Sequence, residues 1–332
     1  RGVFEHQRNL REMFQPLLSV FVAPRVYVPG SVRTVTAEEL VVRVLSSRPG
    51  SPTLIVGEEG CGKTSLALYA HWLLTGDGNP GTVLPMVIPL ARARKHLEVA
   101  GAFDAFLACQ NALSPADWAH TVSAFQVVLL LDGADALPEP ALRHLATVFE
   151  RNPGAAMCRV VVTARLWTPA LPPWPEWSVV PFGPSDAQRA LSLRGVSASA
   201  SLPPWLLSAL PATLAALSSH LASMPPAQIA TLTPSAAWEG WLAESPERAV
   251  DRDTTQEVAR FMARHGWRCQ LSLVRARFPT LDITTAAVFT ADDDADDSCL
   301  FSFRHRALGD YLAACFFASV IESRDDRDDR VR

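Results

Sequence analysis

The chain has 332 residues, of which 48% are hydrophobic and 19% charged, and this composition excludes a disordered chain. The length suffices for two or three compact units with their own cores. A formal net charge of −4 provides no overall basic field, so DNA binding is not indicated. Six scattered cysteines, with no C-x-x-C pair, are typical of a reducing cytoplasm. No apolar run is long enough to cross a bilayer.

The first fifty residues are predicted to be mainly helical. Residues 1–20 carry apolar positions at helical spacing, interrupted by Pro16. Residues 37–47 read as an amphipathic helix for which Thr36 is a plausible N-cap. The first residue is Arg, and a charged run closes the sequence, so we expect a piece of a longer protein.

From residue 53 the sequence alternates between short apolar strands and helices. The predicted strands are 53–57, 83–90, 125–132, 159–165 and 177–182, and the predicted helices are 63–74 and 141–150. The strand 125–132 is almost wholly apolar, as expected where helices cover both faces of a parallel sheet. Pro85 places the strand 83–90 near an edge or at a bend. The alternation predicts a doubly wound α/β fold with a parallel sheet.

The second half of the chain is predicted to be helical, with a small hairpin. Residues 185–245 read as short helices broken by prolines. Predicted helices at 253–265 and 270–277 precede a hairpin of 286–290 with 300–304 and a last helix at 307–322. Helices followed by a two-stranded wing and another helix indicate a winged-helix module.

The segment GEEGCGKT satisfies the pattern G-x-x-x-x-G-K-[ST] and lies between a predicted strand and a predicted helix. Glycines let backbone N–H groups turn inward around phosphates, and the helix N-terminus adds positive charge. We expect Lys63 to reach the β- and γ-phosphates of ATP or GTP and the Thr64 hydroxyl to hold Mg²⁺. The predicted binding residues are Gly57, Glu58, Glu59, Gly60, Cys61, Gly62, Lys63, Thr64 and Ser65. The alternative is a glycine-rich turn with a chance lysine.

A nucleotide site of this type needs a carboxylate at the end of a neighbouring buried strand. Asp132 follows five apolar residues and is the predicted second metal-binding residue, beside Thr64. Asp135 lies three residues further on, where it is expected to orient or polarise the attacking water. The alternative is an ordinary turn with two surface aspartates.

Another apolar strand, RVVVTAR, places Thr163 and Arg165 at its carboxyl end, where ligands of such sheets bind. Arg165 is predicted to sense or neutralise the γ-phosphate and joins Asp132 and Asp135 as a candidate catalytic residue. The alternative is a surface arginine in a loop.

These three strand ends, in this order, resemble the NACHT group of the STAND signal-transduction ATPases. Gly133 follows Asp132, and VVTAR resembles the family's sensor strand. VYVP at 26–29 is similar to the family's segment beside the adenine, and FSFRHRALGDYLAA at 301–314 to its terminal motif. The resemblance spans about residues 20–320.

The resemblance implies two further site residues. Pro211 corresponds to the proline beside the base in the family's helical domain, with a plain helix breaker as the alternative. His305 corresponds to the winged-helix histidine that contacts the β-phosphate of ADP, with a helix-start or core histidine as the alternative. Where the family usually has a glutamate after its second acid, this chain has Ala136, so hydrolysis is expected to be slow or to rest on Asp135 alone.

The resemblance also implies a domain organisation. The expected parts are an N-terminal segment at 1–34, a nucleotide-binding domain at 35–184, a helical domain at 185–247, a winged helix at 248–322 and a charged linker at 323–332. It implies a cytoplasmic ATP/ADP switch that forms homo-oligomers on activation, with effector and sensor domains outside this chain, in defence of the innate-immune or antiphage kind.

Two alternatives remain open at this point. One is a STAND-class transcription regulator whose DNA-binding domain lies elsewhere. The other is a nucleotide-dependent scaffold that does not hydrolyse ATP, which Ala136 makes credible. A metabolic P-loop kinase is disfavoured because nothing after residue 185 resembles a substrate-binding lid.

Overall fold

The chain divides into two compact units on either side of the peptide between Phe182 and Gly183. The computed structural model describes residues 11–12, 14–76, 81–111, 113–165, 171, 173–197, 201–244, 252–265, 269–279, 289–291, 300–303, 308–309 and 312–313. The domain boundaries expected at residues 34, 184, 247 and 322 stay predictions.

The first unit is built on a sheet that contains seven strands within the described residues. They are β1 (Val26–Tyr27), β2 (Thr34–Val35), β3 (Pro52–Val56), β4 (Val83–Pro89), β5 (Gln126–Asp132), β6 (Arg159–Ala164) and β7 (Glu176–Val179). Their spatial order is β2-β1-β7-β3-β6-β5-β4. The strands β7, β3, β6, β5 and β4 are mutually parallel, whereas β1 pairs antiparallel with β7 and with β2. The predicted α/β fold with a parallel sheet is confirmed.

Helices cover both faces of this sheet. The helices of the first unit are Ala37–Leu45, Lys63–Leu74, Leu90–Ala93, Ala102–Gln110, Pro115–Ala124, Glu139–Arg151 and Pro153–Ala156, with 3-10 turns at Gln15–Val20, Arg94–His96 and Ala134–Ala136. On one face, alternate strand residues such as Leu129 join Phe103, Trp118 and Leu145 in a continuous buried cluster. On the other face, the helices that begin at Ala37 and Lys63 pack against the strands. Burial on both faces explains the nearly apolar sequence of β5.

Several local signals in the sequence correspond to observed structure. The helix Ala37–Leu45 begins after Thr36, whose hydroxyl accepts a hydrogen bond from Glu39 N at 3.3 Å, the expected N-cap. Pro85 lies in β4, which is the edge strand of the sheet, where a missing N–H costs least. Of the helix expected over residues 1–20, residues 11, 12 and 14 are α-helical and Gln15–Val20 form a 3-10 turn, whereas residues 1–10 lie outside the described part.

The second unit is mainly helical. Its described helices are Pro184–Ser192, Pro204–Leu207, Pro211–Ser223, Pro226–Ala230, Pro234–Ala243, Arg252–His265 and Leu271–Arg277. The described part also contains a sheet of three strands, β8 (Cys269–Gln270), β9 (Phe289–Ala291) and β10 (Leu300–Phe303), in the order β8-β10-β9. The antiparallel pairing of β9 with β10 corresponds to the predicted hairpin. Most of the predicted last helix, 307–322, lies outside the described residues.

Prolines begin rather than break most helices of the second unit. Proline occupies the first position of the helices that start at Pro184, Pro204, Pro211, Pro226 and Pro234. At that position the missing N–H has no intrahelical acceptor in any case, and the fixed φ suits a helix. No helix in the described part of the chain has the length and apolarity that crossing a membrane requires.

We predict that Leu129→Ala lowers the free energy of unfolding by about 2–5 kcal/mol, because it opens a cavity in the packed core. Leu129 lies in the middle of β5 and is 0% exposed. The matched control is Leu17→Ala, since Leu17 is 51% exposed and its truncation is expected to cost less than about 0.5 kcal/mol. Urea denaturation followed by circular dichroism measures both; equal midpoints for the two variants contradict the core assignment.

Candidate functional site

The loop between β3 and the helix Lys63–Leu74 turns on glycines. Gly60 has a φ of 80° and Gly62 a φ of 102°, both in the left-handed region that favours glycine. Gly62 is also the N-cap residue of the helix and provides no side-chain cap for the first turn. The N–H groups of that turn therefore need another acceptor, which makes this helix start suited to an anion.

Close packing fixes the shape of the loop. A Cβ atom added to Gly57 lies 2.6 Å from Cys61 Sγ and 3.3 Å from Val179 Cβ, so a larger residue there requires these side chains to shift. Cys61 is buried, and burial raises the pKa of its thiol although the charge of Lys63 opposes the rise. Cys61 is therefore a packing residue in the thiol form rather than a reactive thiolate.

Lys63 bends back over the loop. Its Nζ donates hydrogen bonds to Gly57 O at 2.9 Å and to Glu58 O at 2.8 Å. The ammonium group is thereby held at the start of the loop, beside the amides of the helix N-terminus. One short segment thus supplies both a cationic donor and the N–H donors of a helix start. A polyphosphate requires donors of these two kinds.

Asp132 joins the loop to two other segments through its carboxylate. Thr64 Oγ1 donates to Asp132 Oδ2 at 2.8 Å, and Thr163 Oγ1 donates to Asp132 Oδ1 at 2.6 Å. The Thr163 hydroxyl also accepts from Gly133 N at 2.9 Å. Thr163, at the end of β6, therefore orients the carboxylate towards Thr64, a role that the sequence analysis did not assign.

The position of Asp132 differs in one respect from the sequence expectation. The sequence predicts that its strand neighbours the strand that enters the loop, but β6 lies between β3 and β5. Two strand spacings, about 10 Å, thus separate the strands. The hydrogen bond from Thr64 to Asp132 nevertheless joins the two segments, and Thr163 of β6 contacts the same carboxylate. The end of β6 thereby becomes part of the site.

Arg165 follows β6 directly and contacts two carboxylates. Its Nε lies 2.9 Å from Asp135 Oδ2, and one of its terminal nitrogens lies 2.6 Å from Glu59 Oε2. The Asp135 side chain is only 11% exposed and those of Arg165 and Glu59 are 26% and 31% exposed. The sequence identifies Glu59 only as a member of the loop pattern, and no feature of the sequence indicates that it pairs with Arg165.

The remaining predicted residues are placed as follows. Ser65 lies in the first turn of the helix Lys63–Leu74, and Ala136 ends a 3-10 turn after Asp132. Pro211 is the first residue of a helix in the second unit, which accounts for a proline there, and its contact with a base stays a prediction. His305 lies outside the described residues.

One contact of the loop was not expected from the sequence. A Cβ atom added to Gly62 lies 3.6 Å from Pro24 Cγ, so Pro24 borders the loop. Pro24 comes just before β1, which forms from the predicted segment VYVP, and β1 runs antiparallel beside β7. The segment that leads into β1 therefore lies next to the start of the helix Lys63–Leu74.

The side chains present fit a nucleotide with a magnesium ion. Thr64 and Asp132 offer only hard oxygen donors, which suit Mg²⁺. Among the residues that the structure describes, no group of three or more His, Cys, Asp or Glu side chains is arranged to hold a metal by itself. Mg²⁺ usually takes one or two protein ligands and completes its shell with phosphate and water oxygens.

The parallel sheet, the glycine loop at a helix start and the acidic strand end together define a P-loop NTPase fold with a helical C-terminal part. No protein-family model matches the chain, and no curated protein matches it. A similar solved structure is the Aeropyrum pernix ORC2 protein in ADPNP-ADP complexes, at 12% identity and a TM-score of 0.37, covering 87% of this chain and 96% of that chain. The fold class rests on the strand order and loop of this chain.

We predict that Thr163→Val loosens the turn after β5. Thr163 is 1% exposed, and valine has the same shape but neither donates to Asp132 nor accepts from Gly133 N. Leaving a buried N–H unpaired costs about 1–3 kcal/mol. Amide hydrogen exchange at Gly133 is therefore expected to accelerate. Thr163→Ser, which keeps the hydroxyl, is the control, and equal exchange rates in all three proteins contradict the assignment.

Proposed function

We propose that this chain binds ATP and ADP with Mg²⁺ at the loop Gly57–Thr64 and acts as a NACHT-type switch in signal transduction. The observation that carries the proposal is the 2.8 Å hydrogen bond between Thr64 Oγ1 and Asp132 Oδ2. It brings the hydroxyl of the loop pattern and the carboxylate of a separate strand to one point. The alternative, a glycine-rich turn with a chance lysine, does not explain why these two groups form a hydrogen bond.

Each residue of the site has a distinct task in this proposal. The amides of the helix start hold phosphate oxygens, and Lys63 exchanges its carbonyl partners for the β- and γ-phosphates. Thr64 and Asp132 hold the metal directly or through water, and Thr163 keeps the carboxylate in place. A bound Mg²⁺ neutralises phosphate charge.

In this proposal the surroundings of Asp135, the second acidic residue, account for slow hydrolysis. Asp135 is paired with Arg165 at 2.9 Å, so its carboxylate is already engaged by a cation and is less available to orient the attacking water. Ala136 supplies no carboxylate in the adjoining position. Slow turnover suits a protein that stores a nucleotide-dependent state and is reset rarely.

The switch itself requires a difference between two nucleotide states. A nucleotide shifts a conformational equilibrium only by its differential affinity for the two forms. In this proposal ADP holds a closed form through His305 and Pro211, and exchange for ATP releases a form that assembles with further copies. The support for this part is the resemblance of the segments VVTAR and FSFRHRALGDYLAA to the NACHT family.

Lys63→Ala is expected to weaken Mg-nucleotide binding by about 100-fold or more, because it removes a charge-assisted contact to phosphate. The sequence has one other lysine, Lys95, which is exposed, so Lys95→Ala removes the same charge away from the loop. Isothermal titration calorimetry with ADP and with a non-hydrolysable ATP analogue measures both variants. Wild-type affinity in Lys63→Ala, or an equal loss in Lys95→Ala, contradicts the proposal.

His305→Ala is expected to raise the ADP dissociation rate by about tenfold, since it removes one hydrogen bond to a charged phosphate. It is also expected to increase spontaneous self-assembly. Release of a fluorescent ADP analogue and light scattering after size exclusion measure the two effects. His120→Ala changes an exposed histidine and serves as control. A monomeric His305→Ala variant with unchanged ADP release contradicts the locking role.

A second candidate function is a nucleotide-dependent scaffold that never hydrolyses ATP. The ion pair between Asp135 and Arg165, together with Ala136, favours it. Single-turnover phosphate release from bound ATP separates the two candidates. Release within hours favours the switch, and retention of intact ATP favours the scaffold.

A further inference from the structure

The side chains of Glu59, Arg165 and Asp135 form a charged triplet, which we call the Arg165 bridge. Glu59 belongs to the glycine loop, Arg165 follows β6, and Asp135 follows β5. The two carboxylates use different nitrogens of the guanidinium group: Asp135 approaches Nε at 2.9 Å and Glu59 a terminal nitrogen at 2.6 Å. The bridge therefore links the loop to the part of the sheet that carries the second acid.

The position of Glu59 makes it a competitor of the terminal phosphate of ATP for Arg165. The sequence predicts that Arg165 senses or neutralises the γ-phosphate of ATP, and that phosphate needs the terminal N–H groups of the guanidinium. Glu59 already engages one terminal nitrogen at 2.6 Å. The carboxylate and the phosphate are both anions, so the two contacts oppose each other. ADP has no third phosphate and leaves the pair undisturbed.

We propose, on the basis of the nucleotide site proposed above, that Glu59 sets the preference between nucleoside triphosphate and diphosphate by competing with the terminal phosphate for Arg165. Glu59 acts through Arg165 and is a positioning residue. A ligand shifts an equilibrium only by its differential interaction, and the Arg165 bridge provides one that distinguishes the two nucleotides. Its effect is to lower the affinity for ATP relative to ADP.

The geometry explains why Arg165 remains useful when Glu59 releases it. The contact of Asp135 with Nε does not involve the terminal nitrogen that Glu59 engages. Asp135 therefore keeps the guanidinium at the strand end while the terminal N–H groups turn to a new anion. Glu59→Gln preserves the shape of the loop residue and removes the charge that competes with phosphate.

The test compares the dissociation constants of ADP and of a non-hydrolysable ATP analogue, both with Mg²⁺ and at one fixed salt concentration. Glu59→Gln is expected to shift the ratio towards the ATP analogue by about two- to fivefold, the range of a partly exposed ion pair. The affinity for ADP should change by less than about twofold. An unchanged ratio overturns the inference.

The matched control is Glu139→Gln. Glu139 also forms an ion pair with an arginine, Arg143, but both side chains are mostly exposed, at 60% and 70%. This variant changes the net charge by the same amount and is expected to leave the ratio at the wild-type value. A shift equal to that of Glu59→Gln attributes the effect to net charge and overturns the inference.

A double-mutant cycle with Arg165→Met separates competition for Arg165 from direct repulsion of phosphate by Glu59. If Glu59 acts through Arg165, Glu59→Gln has little effect on the ratio once Arg165 is methionine. The same shift in both backgrounds indicates direct repulsion and overturns the inference. Thermal unfolding of each variant confirms that the fold is retained.

The two proposals fail in different ways. A wild-type chain that binds neither nucleotide overturns the proposed function together with this inference. A wild-type chain that binds both, with the same ratio in Glu59→Gln, overturns only the role of Glu59.

Discussion

The carboxylate of Asp132 holds together the site on which the rest of the interpretation depends. One oxygen accepts from Thr64 at the start of a helix, and the other accepts from Thr163 at the end of β6. Both oxygens are thus oriented by hydroxyl donors, and the turn after Asp132 is tied back through Gly133 N. A carboxylate held this way already has the side-chain conformation in which it can bind a cation. Metal and phosphate sites require preorganisation of this kind.

A second set of charges lies beside this carboxylate and has a different character. Arg165 stands between Glu59 and Asp135 in partly exposed surroundings. Such pairs contribute little to stability, because solvent screens them and long side chains lose entropy when ordered. Because these ion pairs are weak, a bound anion can replace one of the two carboxylates at a modest cost in free energy. In the proposed function the site therefore combines a firmly held carboxylate that faces the metal with a set of charges that the nucleotide rearranges.

The sequence predicted those parts of the fold whose signals are local. The helix Lys63–Leu74 has the expected bounds because the loop pattern defines its start and an apolar run its length. The helix Ala102–Gln110 was not predicted, although Phe103, Phe106 and Leu107 have helical spacing, and β1 was not predicted because two residues carry no periodicity. A strand of two residues forms only where a neighbouring strand satisfies its hydrogen bonds, as β7 does for β1.

The sequence by itself determined the glycine loop, the lysine, the acidic strand end and the α/β alternation, because each depends on neighbouring residues. Only the tertiary structure decided that β6 lies between β3 and β5, and hence that Thr163 contacts Asp132 and Arg165 contacts Glu59. Strand order and side-chain pairing between residues 31 and 106 positions apart arise from packing of the whole sheet. No local pattern in the chain records them.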